Sequence, residues 1–281
     1  MPFPAGPHEF VRLNHAAAVA GGQEAQLHAE ALAAIDANGF VCLEAAIAAE
    51  DCEAILHEMR PYIDTTPHGQ FGLGGTRRVG ALVARSPASH KAVAHPAVLR
   101  LVQAILGEQQ LTGSGVRIAP ASPPRPDGSG AGFSGKGDSS AGLTYPWHLM
   151  LTQLLDIAPG GGTEADPHRG AHLWDGVKLH KANGRWHHNF VEQDPQVEVM
   201  FALTDFTEEN GATHIVLGSN RETPRDGPLG YGRPTIQATM RRGSCLVWTG
   251  WSIHGAGVNR SSAYRTGLNI DYALAFLSQE E

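Results

Sequence analysis

The sequence has few charged residues and no long apolar segment. Of its 281 residues, 17% are charged and 42% are hydrophobic, and no apolar run approaches the length of a membrane span. The chain begins Met1-Pro2-Phe3-Pro4, without the basic start and apolar stretch of a secretory signal. We therefore expect a soluble cytoplasmic protein with one substantial core and no membrane partner.

Positive charge is also scarce. The formal net charge is -7, and lysines and arginines form no cluster along the chain. Binding to duplex nucleic acid requires a positive surface that neutralises phosphates, so we do not expect such a partner. One small phosphorylated substrate remains compatible with this charge.

Cysteine is rare and unpatterned. Cys42, Cys52 and Cys245 are widely spaced and form no C-x-x-C motif. This usage predicts buried thiols in a reducing compartment and argues against a disulfide framework or a zinc site.

The first part of the chain, to about residue 110, has the apolar spacing of helices. The periodic positions fall in three groups: Leu27, Ala31, Ala34 and Ile35; Cys52, Ile55, Leu56 and Met59; Val98, Leu101, Val102 and Ile105. A short buried strand, Phe40-Val41-Cys42-Leu43, is predicted between the first two groups.

Residues 119–145 are rich in proline, glycine and serine and contain little that could be buried. A segment of this composition and length is typical of a mobile lid or a disordered insert. We favour a lid, because the segment precedes the predicted active-site strands. A tolerated surface loop is the alternative.

From Leu149 onward, short apolar runs alternate with turn signals such as Asn210-Gly211. The predicted strands are Leu149–Ile157, Val197–Leu203, His214–Leu217, Cys245–Thr249 and Thr266–Leu277. Many short strands after a helical beginning predict a mainly β protein with flanking helices. We expect one domain over 1–281, a double-stranded β-helix (a cupin-like jelly roll).

Two histidines are candidate metal ligands. His168 lies in Asp166-Pro167-His168-Arg169-Gly170, and His254 follows the predicted strand Cys245–Thr249. Ligands on separate strands of a barrel can converge across its interior, and imidazoles that leave open positions suit iron(II). The chain has fifteen histidines, so either one by itself is more often a surface or hydrogen-bonded residue.

Arg265 follows His254 by eleven residues, at the start of the last predicted strand. Two strands related as a hairpin could direct both side chains into one cavity. A guanidinium offers a bidentate fork to a carboxylate, so Arg265 could bind the far end of a dicarboxylate. A rim arginine paired with a surface acid is the alternative.

Several stretches together resemble the phytanoyl-CoA dioxygenase-like family of iron(II)/2-oxoglutarate oxygenases. They are residues 153–160, His168-Arg169, 201–213, Gly218-Ser219, 240–244, the block from His254 to Arg265 and, more weakly, 76–82. The resemblance implies iron(II) held by His168 and His254, 2-oxoglutarate held by Arg265, and O2 as co-substrate. It further suggests that Gln153 or Met150 lies beside the co-substrate and that Trp186 lines the same pocket.

The chain departs from the family's His-x-Asp motif at Gly170. Glycine supplies neither an oxygen ligand nor a negative charge and leaves space at the metal, which invites a small anion. Such a His-x-Gly motif resembles aliphatic halogenases, in which chloride occupies the vacated position. We therefore predict a halogenase, with chloride as a further cofactor, that chlorinates an unactivated aliphatic carbon.

Other interpretations remain open. Asp166 or Asp175 could supply the third ligand, which would make the protein a hydroxylase. Gly170 could be a natural or engineered lesion in a hydroxylase, or water could fill its space. A non-catalytic barrel that binds a ligand or partner is the last alternative.

The predicted substrate is a small natural-product intermediate or a nucleotide-like molecule. Arg77, Arg78, Lys136 and Arg169 are candidates for contacting an anionic group on it. Each of these side chains is more often simply solvated.

Overall fold

A computed structural model describes residues 10–69, 74–107, 147–162, 168, 170, 181–182, 185–186, 194–221 and 235–275 of the chain. Helices occupy the first part of these residues, and strands dominate the remainder. The α-helices are His15–Ala20 (α1), Glu24–Asn38 (α2), Ala49–Thr65 (α3), Leu82–Arg85 (α4), His90–Val93 (α5) and Pro96–Leu106 (α6).

The three helical patterns in the sequence correspond to α2, α3 and α6. The helix α2 ends at Gly39, whose φ of 89° is left-handed and whose N–H donates to the carbonyl of Ile35 at 2.7 Å. Glycine adopts this conformation without a steric penalty. The chain therefore reverses directly from α2 into a buried strand, Phe40–Glu44.

Twelve strands lie in the described residues. They are Arg12–Asn14 (β1), Phe40–Glu44 (β2), Thr76–Gly80 (β3), Trp147–Ile157 (β4), Lys181–Ala182 (β5), Arg185–Trp186 (β6), Gln196–Ala202 (β7), His214–Val216 (β8), Thr235–Gln237 (β9), Cys245–Thr249 (β10), His254–Gly255 (β11) and Arg265–Leu274 (β12). The five strands predicted from Leu149 onward match β4, β7, β8, β10 and β12 closely. The shorter strands β1, β3, β5, β6, β9 and β11 were not predicted.

Seven strands form one large sheet in the order β1-β2-β10-β7-β12-β4-β3. All of its pairs are antiparallel except β1 with β2. A smaller sheet has the order β11-β8-β9, and β5 pairs with β6. The prediction of a mainly β protein with flanking helices is confirmed.

The two faces of the large sheet carry different cores, because side chains alternate along each strand. One face packs against the helices through residues such as Val199, Val247 and Ile270. The other face carries Trp248 and Met200, which pack with Ile215 of the small sheet. We call the space between the two sheets the barrel interior.

A helix long and apolar enough to cross a membrane is absent from the part of the chain that the structure describes.

Candidate metal centre

His168 and His254 lie side by side on paired backbone. An antiparallel bridge joins them, and the backbone N–H of each donates to the carbonyl of the other at 2.8 Å. Directly opposed residues project their side chains to the same face. Their ring centroids are 4.5 Å apart, with an interplanar angle of 52°. The structure therefore brings together the two histidines that the sequence singles out.

The position of His254 is determined by its buried surroundings. Its Nδ1 lies 3.1 Å from the carbonyl oxygen of Ser252, and its ring centroid lies 4.9 Å from that of Trp248. A hydrogen bond from Nδ1–H to this carbonyl assigns the proton to Nδ1. The other nitrogen, Nε2, then has the deprotonated form that binds metals.

The separation of the two rings fits a shared ion. Imidazoles that bind one divalent ion at a right angle, each with its nitrogen about 2.1 Å away, have centroids about 4.6 Å apart. The observed 4.5 Å agrees with that arrangement. Within the described ranges, however, no three His, Cys, Asp or Glu side chains already form a metal-binding group. Any third protein ligand must therefore move towards the ion or come from elsewhere.

The space beside Gly170 is filled. A Cβ built on this buried glycine would lie 1.7 Å from Oε1 of Glu198 and 2.7 Å from Nε2 of Gln196. The prediction of a hole beside Gly170 is therefore wrong for this structure, because the carboxyl group of Glu198, from β7, occupies that space. A role for this position as a halide site stays a prediction.

Glu198 is buried in the barrel interior. It lies opposite Trp248 on β10 and Asp271 on β12. Its Oε2 is 3.6 Å from Nε2 of His254, and its Oε1 has no hydrogen-bond partner among the described residues. Burial raises the pKa of the Glu198 carboxyl well above its usual value, as does the charge of Asp271, whereas the indole of Trp248 lowers it. A bound cation would favour the ionised carboxylate.

The donors at this centre fit a divalent transition metal. Imidazole nitrogens and a carboxylate oxygen are the ligands of mononuclear iron(II) sites that leave positions open. The unpartnered Oε1 of Glu198 is a buried acceptor that a cation would satisfy. His168, His254 and Glu198 are thus the described residues suited to hold iron.

Arg265 begins β12 and is buried, with 4% of its surface exposed. Its guanidinium carbon lies 4.3 Å from the centroid of Phe206, and Nε and Nη1 have no hydrogen-bond partner within the described residues. Burial lowers the pKa of Arg265 to about 10. The alternative of a surface-exposed rim arginine is wrong. A buried guanidinium with unused donors suits an anionic ligand.

Gln153 and Arg78 also face the barrel interior. Gln153 lies opposite Asn269 on β12, and its Oε1 accepts a hydrogen bond of 3.2 Å from Nη1 of Arg78. Burial lowers the pKa of Arg78, while the charge of Asp271 raises it. Both side chains therefore lie where a ligand in the barrel could contact them.

Two predicted site residues face away from the barrel interior. Met150 is fully buried in the core between the large sheet and the helices. It lies three positions before Gln153, an odd number, so alternation turns it to the opposite face. Its predicted place beside the co-substrate is wrong. Arg77 likewise faces away from Arg78. Its Nη1 lies 3.5 Å from Oδ2 of Asp156, so its charge serves an ion pair on the outer face.

Some of the residues named from the sequence lie outside the described residues. They are Asp166, Asp175, Arg169 and Lys136, and the predicted lid, 119–145, lies outside them too. For Trp186 the structure describes only the backbone, in β6. Their proposed roles stay predictions.

Glu198 is the residue that the sequence reasoning missed. The pattern Gln196-Val197-Glu198-Val199 alternates polar and apolar residues within a predicted strand, which is the signal of one polar face. That polar face is turned inwards here, where charged side chains require a partner. A charged residue at an inward strand position, near two candidate ligands, could have identified it.

A barrel interior with paired histidines, a carboxylate and a buried arginine is what an oxygenase of the type predicted above requires. The chain belongs to the phytanoyl-CoA dioxygenase (PhyH) family, whose model matches residues 35–267. That range includes His168, Gly170, His254 and Arg265.

Curated relatives are similar over shorter stretches. The dioxygenase olcK of Penicillium canescens is 42% identical over 89 residues, 30% of this chain and 28% of that protein. The dioxygenase trt7 of Aspergillus terreus (strain NIH 2624 / FGSC A1156) is 38% identical over 124 residues, 43% of this chain and 39% of that protein. The matched stretch thus spans less than half of each relative.

Solved structures show the same fold at low identity. The α-ketoglutarate-dependent epimerase SnoN from nogalamycin biosynthesis matches with a TM-score of 0.59 and 16% identity, over 89% of this chain and 82% of SnoN. HygX from Streptomyces hygroscopicus, solved with nickel, 2-oxoglutarate and hygromycin B, matches with a TM-score of 0.57 and 15% identity, over 90% and 89%. These likenesses support the predicted jelly-roll architecture.

Proposed function

We propose that the protein is an iron(II)- and 2-oxoglutarate-dependent oxygenase that hydroxylates an aliphatic carbon of a small molecule. The observation that carries the proposal is the antiparallel pairing of His168 with His254, with ring centroids 4.5 Å apart. Membership of the PhyH family supports it. SnoN has been solved with Fe3+, α-ketoglutarate and nogalamycin RO, which supports a natural-product substrate for this chain.

The roles of the residues follow from their chemistry. His168 and His254 would hold iron, and Arg265 would bind the far carboxylate of 2-oxoglutarate with its unused donors. Iron(II), once bound with 2-oxoglutarate and O2, supplies the oxidising power to break an aliphatic C–H bond. The protein itself keeps Nε2 of His254 deprotonated through Ser252 and keeps Arg265 away from water.

Hydroxylation is preferred to halogenation because of Glu198. A halide beside Gly170 would need the space in which the Glu198 carboxyl group stands. An ionised carboxylate there would also repel an anion. Halogenation, the reaction that the sequence favours, is the second candidate and requires Glu198 to turn away.

The first test requires no knowledge of the substrate. The protein is loaded with iron(II) and 2-oxoglutarate without oxygen, O2 is admitted, and succinate is measured. We expect succinate from the wild type and none above background from His254→Ala. Equal succinate from both proteins would contradict the proposed iron site.

The second test separates the two reactions. The same reaction is run with chloride and a panel of natural-product intermediates, some of them phosphorylated, and products are identified by mass spectrometry. Addition of one oxygen to a product is the expected result. Addition of chlorine, replaced by bromine when bromide is supplied, would establish halogenation instead. Binding of a panel member without any turnover would favour the non-catalytic barrel.

A further inference from the structure

The carboxylate absent from the His-x-Asp position has a counterpart on another strand. Gly170 lies where the family motif has aspartate. The carboxyl group of Glu198 occupies the position that a Cβ of residue 170 would take. Glu198 is 28 positions further along the chain, on β7, so no motif spacing connects the two. They meet because the side chain of Glu198 extends from β7 into the barrel interior and the backbone of Gly170 packs against it there.

We propose that Glu198 has taken over the role of the motif aspartate and is the third protein ligand of the metal held by His168 and His254. This inference rests on the proposed function, because it requires a metal at the two histidines. It assigns a metal-binding role to a residue outside the family's motif.

The distance from Glu198 to His254 is close to that of two ligands of one ion. Two ligand atoms about 2.1 Å from one ion and at a right angle to it lie about 3.0 Å apart. Oε2 of Glu198 and Nε2 of His254 are 3.6 Å apart, so a displacement of about 0.6 Å closes the gap. A displacement of this size is within the reach of a side-chain rotation, and in its present position Glu198 does not complete a three-ligand group among the described residues.

The burial of Glu198 indicates that its carboxylate binds a cation. It is 5% exposed, and no lysine or arginine forms an ion pair with it among the described residues. Its Oε1 has no hydrogen-bond partner there. Buried carboxylates are normally paired or bound to metals. Of the described side chains, only the metal-ligand candidate His254 lies within ion-pair distance of Glu198.

The motif aspartate at position 170 and the present position of Glu198 exclude each other. A side chain at position 170 would begin 1.7 Å from Oε1 of Glu198, so an aspartate there and the glutamate in its present place cannot coexist. We infer that glycine at 170 is the condition for a ligand supplied from β7. The centre would then keep two imidazoles and one carboxylate, as a hydroxylase requires.

The test measures metal affinity directly. Purified full-length protein is titrated with cobalt(II) by calorimetry, in the wild type and in Glu198→Gln, Glu198→Asp and His254→Ala. Changes around metal ligands typically cost 10- to 100-fold in affinity. We expect Glu198→Gln, which keeps the shape of the side chain, to weaken binding at least about 10-fold. Glu198→Asp should recover part of the loss.

A relocation variant gives the sharper result. In Gly170→Asp/Glu198→Ala the carboxylate returns to the position of the family motif, and the nearer of the two side chains that crowd it is gone. The other, Gln196, contacts this position with the end of a flexible side chain, which can turn aside. We expect this double variant to bind cobalt(II) more tightly than Glu198→Ala alone. Glu208→Gln, which removes an exposed carboxylate on a turn, serves as the control and should bind like the wild type. Circular dichroism of every variant confirms that it is folded.

The outcomes separate the two proposals. If His254→Ala loses cobalt(II) but folded Glu198→Gln binds like the wild type, the histidine site stands and the role of Glu198 is overturned. If wild type and His254→Ala bind equally, the proposed function itself fails. If a Glu198 variant does not fold, the comparison of Gly170→Asp/Glu198→Ala with His254→Ala decides: affinity no better than that of His254→Ala overturns the inference.

Discussion

The carboxyl group of Glu198 occupies the place where a side chain on Gly170 would begin, with Oε1 1.7 Å from an ideal Cβ. Glu198 can therefore pack in its present position only if residue 170 has no side chain, so the glycine is more than a departure from a motif.

Gly170→Ala should destabilise the protein, because its methyl group must displace a buried carboxyl. Overpacking of this kind costs about 1–3 kcal/mol in the free energy of unfolding, measured by urea denaturation. The loss should be relieved when Glu198 is also changed to alanine. Additive effects of the two substitutions in a double-mutant cycle would show that they do not interact.

Arg265→Leu should weaken 2-oxoglutarate binding without lowering the stability of the free protein. A hydrogen bond to a charged group contributes about 1.5–3 kcal/mol, so the dissociation constant should rise about 10- to 100-fold. Calorimetry on cobalt(II)-loaded protein measures this. Arg265→Lys should be intermediate, because lysine lacks the guanidinium fork. Unchanged affinity in Arg265→Leu would place the co-substrate elsewhere.

Arg77 and Arg78 form a matched pair, adjacent in sequence but on opposite faces of β3. Arg78→Met should alter the Michaelis constant for an anionic substrate, because its guanidinium faces the barrel interior beside Gln153. Arg77→Met should leave that constant unchanged and affect only thermal stability, since it removes the ion pair with Asp156. The reverse assignment of effects would contradict the placement of these side chains.

Protonation of His95 should destabilise the fold in acid. Burial lowers the pKa of His95 to about 4, opposed by its hydrogen bond to the carbonyl of Ala46. The unfolded chain, with a pKa of 6.5, binds more protons between these values. The contribution of neutral His95 to the free energy of unfolding is therefore fully present above pH 6.5. It is lost as the pH falls towards 4, and the loss is roughly 3 kcal/mol.

Thermal melts between pH 4.5 and 7 check this effect. His95→Gln keeps a donor for Ala46 but cannot titrate, so its melting temperature should fall less on acidification than that of the wild type. His57→Gln, a change at an exposed histidine of α3, should follow the wild type. Identical profiles for His95→Gln and the wild type would remove His95 as the cause.

Local patterns in the sequence were sufficient for much of the fold. The long strands β4, β7 and β12 carry apolar runs that predict their bounds within three residues, and His254 follows its strand as expected. The short strands β1 and β3 have no such signal, because polar and charged residues such as Arg12, Asn14 and Arg77 interrupt any apolar run. Their pairing depends on contacts with β2 and β4 that are distant in sequence.

The site was less predictable, because it depends on which face of a strand turns inwards. His168, His254 and Arg265 were found through their motifs. The prediction for Met150 was wrong because strand alternation turns this side chain to the face opposite Gln153. Glu198 was overlooked because its contact with Gly170 depends on tertiary structure. A glycine in a motif tells only that a side chain is absent there. It does not tell which neighbouring side chain uses the space.

The proposed centre depends most on two imidazoles binding one ion. A crystal structure of the protein soaked with cobalt(II) and 2-oxoglutarate, with the metal located by its anomalous scattering, tests this directly. We predict one ion about 2.1 Å from Nε2 of His254 and from a ring nitrogen of His168. An ion that contacts neither ring would contradict the proposed centre.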